Sequence, residues 1–232
     1  MKKYIYYNDK RVELTEEQLV ALGIKKESDD EKIIKTIYGR ELTMPEFLEI
    51  IQSGNAQHFF KLHDNMTVKE KEYEIISFEK RKIVFMGKKL LPPHKMFEYG
   101  CEGKQTYLNS DLRKWLNESY FSTLPQLLRN AIVPVPPCDV KNCDRLDSLF
   151  VPSESELFGS AIYSEKMDGR RFDAFNTSKD RVYSDDEDNS AAYWTRSQVS
   201  PGSAFVFVDR WGAPGITSSV GEFYVPVCFK IG

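Results

Sequence analysis

The chain ends on a strict alternation. Phe223, Val225, Val227, Phe229 and Ile231 are apolar, and Tyr224, Pro226, Cys228 and Lys230 stand between them. A period of two belongs to a β-strand, whose successive side chains point to opposite faces. The last ten residues must therefore lie in a sheet with one face against a core. Pro226 has no N–H to give to a ladder, which predicts an edge or a bulge at that position. A little upstream, Ala204–Val208 reads AFVFV, a short apolar run that predicts a strand buried on both faces. The C-terminal third is thus committed to β structure joined by long loops.

Earlier segments follow other periods. Tyr4-Ile5-Tyr6-Tyr7 reads as a short strand, and Thr15-Glu16-Glu17-Gln18 as a capping box opening a helix that carries Leu19 and Leu22 and stops at Gly23. A second helix is expected from Asp30 through Ile33, Ile34 and Ile37 to Gly39. A third is expected from Thr43 as N-cap, with Pro45 in its first turn, to Gly54. Tyr73–Phe78 and Ile83–Met86 flank a charged turn and predict a hairpin. Leu112, Trp115 and Leu116 share one face of a helix capped by Asn109 or Ser110. Another short helix is expected around 125–130, and the proline-rich residues 133–137 must be extended. Leu149-Phe150-Val151 reads as a short strand, Ser153-Glu154-Ser155-Glu156 as a helix start, and residues 176–190 as an acidic, serine-rich loop. The expected fold is α+β with unusually much loop. The expected division is a small helical appendage over residues 1–55 and a main domain over residues 56–232.

Composition narrows the function classes. A net charge of −3 over 232 residues gives no bulk attraction to nucleic acid. The amino end has two lysines but no apolar run after them, and no window approaches the ~18 apolar residues of a membrane span. A partner that is neither nucleic acid nor membrane is therefore expected. Four cysteines at irregular positions, Cys101, Cys138, Cys143 and Cys228, do not make a disulfide framework, so synthesis in a reducing cytosol is expected, with release by lysis or on a particle left open.

Four motifs now stand in order: Leu112-Arg113-Lys114-Trp115-Leu116-Asn117; residues 149–160, LFVPSESELFGS; Tyr193-Trp194-Thr195-Arg196-Ser197; and Val225–Gly232, VPVCFKIG. Together they resemble an uncharacterised bacterial and prophage family whose members carry LRxWLN, an LPSExE-like segment, W-L-R-S and a terminal G-V-x-P. The resemblance spans roughly residues 60–232. It implies a C-type lectin-like fold, similar to that of formylglycine-generating enzymes and of the variable proteins of diversity-generating retroelements. Residues 54–64, GNAQHFFKLHD, are similar to a leader seen before such domains. Two positions depart from the pattern: Thr195 stands where an apolar residue is usual, and Phe223-Tyr224-Val225-Pro226 lacks the usual glycine and arginine.

The candidate site residues are aromatic and cationic. Alternation puts Trp194 and Arg196 on one face of their strand, where the expectation is chiefly a structural lock, with the guanidinium satisfying loop carbonyls; ligand contact is the other reading. Asp209-Arg210-Trp211 follows the apolar strand directly and reads as a loop tip. Trp and Arg there are suited to recognition, because they desolvate a large area and still offer donors. Ser218, Ser219 and Glu222 are expected to add hydrogen bonding from a neighbouring loop.

No cofactor is expected. Cys138 and Cys143 are at the wide end of zinc-ligand spacing with no second close pair, Cys228 has no base beside it in sequence, and residues 185–189, DDEDN, lack a calcium-loop pattern. Three readings follow. The preferred one is a non-catalytic ligand-recognition module for a protein or glycan partner. The others are a retroelement-diversified or phage receptor-binding protein, and a thiol- or metal-dependent enzyme related to the formylglycine-generating enzymes.

Overall fold

The computed structural model describes residues 31–99, 105–137, 145–199 and 203–232, together with the backbone of 4–7 and 10–13. Those last two segments, β1 (Tyr4–Tyr7) and β2 (Lys10–Glu13), form an antiparallel pair. The helix expected over 15–23 lies outside the described residues.

The charged hairpin is where the sequence puts it. β6 (Lys71–Glu79) and β7 (Lys82–Gly87) pair antiparallel, with Glu79 opposite Lys82. They sit in a six-stranded sheet of order β13-β7-β6-β5-β3-β4, completed by β3 (Lys32–Lys35), β4 (Glu41–Thr43), β5 (Asn65–Val68) and β13 (Cys228–Ile231). A second sheet has the order β11-β10-β9-β12-β8, from β8 (Leu91–Lys95), β9 (Tyr193–Val199), β10 (Ala204–Val208), β11 (Pro214–Ser218) and β12 (Glu222–Val225). Helices are few and short, so the architecture is α+β.

The C-terminal alternation proves to be two strands, not one. β12 lies in the five-stranded sheet and β13 in the six-stranded sheet, where Phe229 faces Phe85 and Ile231 faces Ile83. The chain changes sheets at Pro226-Val227, where the missing N–H of proline ends the first ladder and the Val227 carbonyl accepts from Gly87 N at 2.9 Å. The period survives because Val225, Val227, Phe229 and Ile231 all face one core, with Phe223 packed against it.

That core also contains the early chain. The helix expected over 30–39 is instead the strand β3 followed by a turn at Gly39, whose φ is +85°. Ile33 and Ile34 are adjacent and both buried, while Ile37 is 41% exposed, so the three isoleucines never formed one helical stripe. Adjacent β-branched residues fit a strand buried on both faces. The third helix is real: α1 (Met44–Gln52) has Thr43 as N-cap and Pro45 in its first turn. Glu46 accepts from Thr43 N at 2.8 Å and pairs with Arg40 and Lys32. The backbone bond from Thr43, helped by Arg40, holds its carboxyl down at about 2. Phe47 meets Phe60 and Phe85 edge-on at 5.1 and 6.1 Å. Residues 32–52 are therefore two strands and a helix built into the six-stranded sheet and its core, which crosses residue 55.

The middle of the chain supplies the remaining helices. α2 (Asp111–Lys114) is capped by the Ser110 hydroxyl, which accepts from Arg113 N at 3.1 Å, and runs on as a π-helical stretch, Trp115–Tyr120. α3 (Gln126–Ala131) and α4 (Glu154–Phe158) follow. A second apolar cluster lies on the far face of the hairpin, so neighbours along a strand go to opposite cores: Ile75 to the first and Ile76 to the second, Trp194 to the first and Tyr193 to the second.

Because Phe47 joins residues 44–52 to the main core, Phe47→Ala is expected to cost about 3–5 kcal/mol. Urea unfolding followed by the fluorescence of Trp115, Trp194 and Trp211, all outside residues 1–55, checks this. A shifted single transition is expected; an unmoved one contradicts the shared core.

Candidate functional site

Each motif quoted from the sequence is tied to another by buried polar contacts. In LRKWLN, Arg113 pairs with Asp147 through Nε at 2.8 Å and through Nη2, and gives Nη1 to the Leu108 carbonyl at 3.1 Å. Asn117 accepts from the backbone of Ser148 and Leu149 at 2.9 and 3.0 Å and donates to the Leu149 carbonyl at 2.9 Å. Asn117 thus serves backbone groups, and Arg113 the Asp147 carboxylate, of a segment that has only single β-bridges.

The serine and glutamate run that opens α4 holds the following loop. Ser153 caps the helix by accepting from Glu156 N at 3.0 Å, and Glu156 returns the bond to Ser153 N at 2.8 Å. Glu154, fully buried, accepts from Tyr163 N, Ser164 N and Ser164 Oγ at 2.9, 2.9 and 2.6 Å. The Ser155 hydroxyl donates to the Asp168 carbonyl and accepts from Asp168 N, both at 2.8 Å. Residues 160–168 thus hang from one short helix.

β9 completes the arrangement through a bulge. Phe205 pairs with Gln198 and Phe207 with Trp194, so residues 195–197 stand opposite Val206 alone. The Thr195 hydroxyl donates to the Val206 carbonyl at 2.8 Å and so replaces the ladder bond lost there. Arg196 N turns away to the Pro152 carbonyl at 3.0 Å, and Ser197 Oγ accepts from Glu154 N at 2.8 Å. The Arg196 side chain is buried between two carboxylates. It makes a two-pronged contact with Glu156 at 2.6 and 2.9 Å, reaches Asp168 through Nε at 2.8 Å, and donates to the Val151 carbonyl at 3.0 Å. Burial opposes its charge, but Glu156 and Asp168 outweigh that and hold its pKa above the ordinary arginine value. Trp194 is buried too, giving its indole N–H to the His94 carbonyl at 2.7 Å. As the structure stands, neither side chain is open to a ligand.

The Asp209 segment is the opposite case. It is the turn of the hairpin formed by β10 and β11. Asp209 Oδ1 accepts from Trp211 N and Ala213 N at 2.9 and 2.8 Å, and Asp209 N donates to the Ala213 carbonyl at 2.8 Å. Gly212 has φ +81°, and a Cβ there would lie 2.0 Å from the Ser178 carbonyl oxygen, so the turn rests on the loop at 178. Arg181 fastens it further, donating Nε to the Gly212 carbonyl at 3.1 Å. On this fixed turn Trp211 is 65% exposed and Arg210 lies over its ring at 4.2 Å from the centroid.

The remaining predicted residues do not gather there. Ser218 lies at the other end of β11, roughly 14 Å along the strand from the turn. Ser219 is buried, donating to Gln105 Oε1 at 2.6 Å. Glu222 lies on β12, beyond β10 and β9, with Lys95 at 3.8 Å. What sequence reasoning missed is a groove of about 660 Å³ beside the turn, lined by Phe158, Met167, Arg170, Arg171, Asp173 and Asn176 among others. Arg181 joins groove and turn, since its guanidinium lies 4.4 Å from the Phe158 ring centroid. Nothing in the spacing of these residues announced it; they are neighbours only because α4 pins the loop.

Cys228 is fully buried and burial pushes its thiol well above the usual range, the reverse of an activated nucleophile. Cys101, Cys138 and Cys143 lie outside the described residues. Among the described residues no group of three or more metal-binding side chains comes together, and no helix is long and apolar enough to cross a membrane. Asp185, in the acidic loop, accepts from Glu187 N and Asn189 N at 3.0 and 2.9 Å.

The model of a domain of unknown function, DUF6273, matches residues 83–232, a span that contains all four motifs. No curated protein and no solved structure matches the chain.

Locked and displayed residues predict opposite sensitivities. Arg196→Ala leaves Glu156 and Asp168 buried without their cation and is expected to cost about 3–5 kcal/mol. Trp211→Ala is expected to stay within about 0.5 kcal/mol. Chemical denaturation of the two variants beside the wild type checks both; equal losses would refute the division.

Proposed function

The chain belongs to the DUF6273 family, and we propose that it is a non-catalytic recognition module that presents the Arg210–Trp211 turn to a protein or glycan partner. One observation carries this reading: a tryptophan 65% exposed, stacked with an arginine, stands on a turn held by Asp209, Arg181 and the contact of Gly212 with residue 178. An exposed tryptophan on a mobile loop would lose affinity to ordering; on a fixed turn that loss is small. The ring supplies area, the guanidinium supplies donors, and the neighbouring groove offers a concave surface next to a convex one. This reading takes the fold to be of the C-type lectin-like kind, on the strength of the four ordered motifs and of loops held by side-chain contacts rather than by ladders. Folds of that kind place recognition on loops carried by a rigid scaffold.

The test is binding of the purified protein to a glycan array and to intact bacterial cells, beside a Trp211→Ala/Arg210→Ala double variant. A hot-spot pair of this kind is expected to weaken binding by roughly 30-fold or more, with the unfolding midpoint unchanged. Unaltered binding by the double variant would place recognition elsewhere.

A further inference from the structure

The two larger sheets have four outer edges, and among the described residues three of these are closed. β8 carries Pro92 and Pro93, which cannot donate to an added strand. β4 has three residues and passes straight into α1. β13 is covered by other segments: Val133 N donates to the Lys230 carbonyl, and Phe150 and Cys228 exchange backbone bonds at 2.9 and 2.8 Å. β11 is different. It is five residues long, PGITS, has no charged side chain, and leaves Ile216 46% exposed.

Its free hydrogen-bonding groups can be read from the phase of the hairpin. Asp209 N bonds the Ala213 carbonyl at one end, and Ser219 N bonds the Ser203 carbonyl at the other, both at 2.8 Å. Antiparallel pairs alternate between bonded and unbonded, so 207/215 and 205/217 are bonded as well. The pairs 208/214, 206/216 and 204/218 then turn their β11 groups outward. The outward set is the Pro214 carbonyl and the N–H and C=O of Ile216 and Ser218. Among the described residues one of these is used: the Ser218 carbonyl accepts from Gly221 N at 3.0 Å.

This set is complementary to itself. We propose that β11 pairs antiparallel with β11 of a second copy of the chain, about a two-fold axis at Ile216, giving one continuous ten-stranded sheet. In that register each Ile216 exchanges both backbone bonds with Ile216 of the second copy. Each Ser218 N–H meets the Pro214 carbonyl of the second copy. The one donor the edge lacks, at Pro214, faces the one acceptor already satisfied, at Ser218. No charges oppose one another along the strand, and the two isoleucine side chains meet at the centre. An unrelated peptide has no reason to match that defect; a second copy matches it by symmetry. The pairing does not depend on what the Trp211 turn binds. It sets two such turns roughly 34 Å apart, at five residues each side of the axis, which raises avidity for a repeated ligand.

Sedimentation of the full chain across micromolar concentrations tests the pairing. The wild type is expected to dimerise. Ile216→Lys and Ile216→Glu are each expected to be monomeric, with unchanged circular dichroism because Ile216 is 46% exposed, and their equimolar mixture is expected to dimerise again. A monomeric wild type, dimers that survive Ile216→Lys, or a mixture that stays monomeric would each overturn it.

Discussion

Arg196 is the interaction on which the rest depends. Taking a guanidinium out of water is expensive, and it persists inside only when its donors are used and its charge is met. Here Nε goes to Asp168, Nη1 to Glu156 and the Val151 carbonyl, and Nη2 to Glu156. The three partners come from different parts of the chain: the segment before α4, α4 itself and the loop that α4 suspends. Withdrawing any one leaves a buried guanidinium N–H without its acceptor. The contact is therefore cooperative, and it fixes a loop that has almost no backbone ladder of its own.

The residues of the motifs follow the same accounting. LRxWLN, SESE and WTRS are dense in polar and aromatic residues, the composition usually associated with sites, yet in this protein those groups are consumed internally. Asn117 completes the backbone of residues 148–149, Glu154 that of residues 163–164, and Thr195 that of Val206. Irregular chain must find partners for buried N–H and C=O groups somewhere. A loop-rich fold finds them in side chains, and so its most recognisable residues are structural. The exposed Arg210–Trp211 pair lies outside all four motifs. Trp194 and Trp211 make the contrast: one fills the core and gives its N–H to His94, and the other stands in water under an arginine.

Legibility follows from locality. The N-cap at Thr43, the hairpin around the charged turn at 79–82, the cap at Asn109 or Ser110 and the strand AFVFV were readable because short-range chemistry decides each of them. The errors have one physical origin, which is that periodicity reports a buried face but not which element buries it. Ile33, Ile34 and Ile37 matched a helical spacing, but two of them go into a sheet and the third into solvent. Phe223 to Ile231 kept a perfect period of two across a change of sheet, because both strands face one core. Asp168 and the groove residues had no readable signal, since their proximity is created by Glu154 and Ser155 holding the loop from a distance.

The hairpin of β10 and β11 brings these arguments together. On its inner side, the bulge of β9 removes ladder partners, and the losses are repaired locally: the Val206 carbonyl by the hydroxyl of Thr195, and Arg196 N by the Pro152 carbonyl. On its other side, among the described residues, the outward groups of Pro214, Ile216 and Ser218 find one partner, Gly221 N. Among the described residues the three other edges of the two larger sheets are stopped by proline, by shortness or by cover, which sets the fourth apart. Water can satisfy such groups at little cost, so stability does not require a partner there. Specificity does: an open, uncharged edge invites any strand unless its own pattern of donors and acceptors selects one. The proline at one end and the Gly221 bond at the other make that selection, because together they mismatch a generic strand and match the same strand rotated by a half-turn.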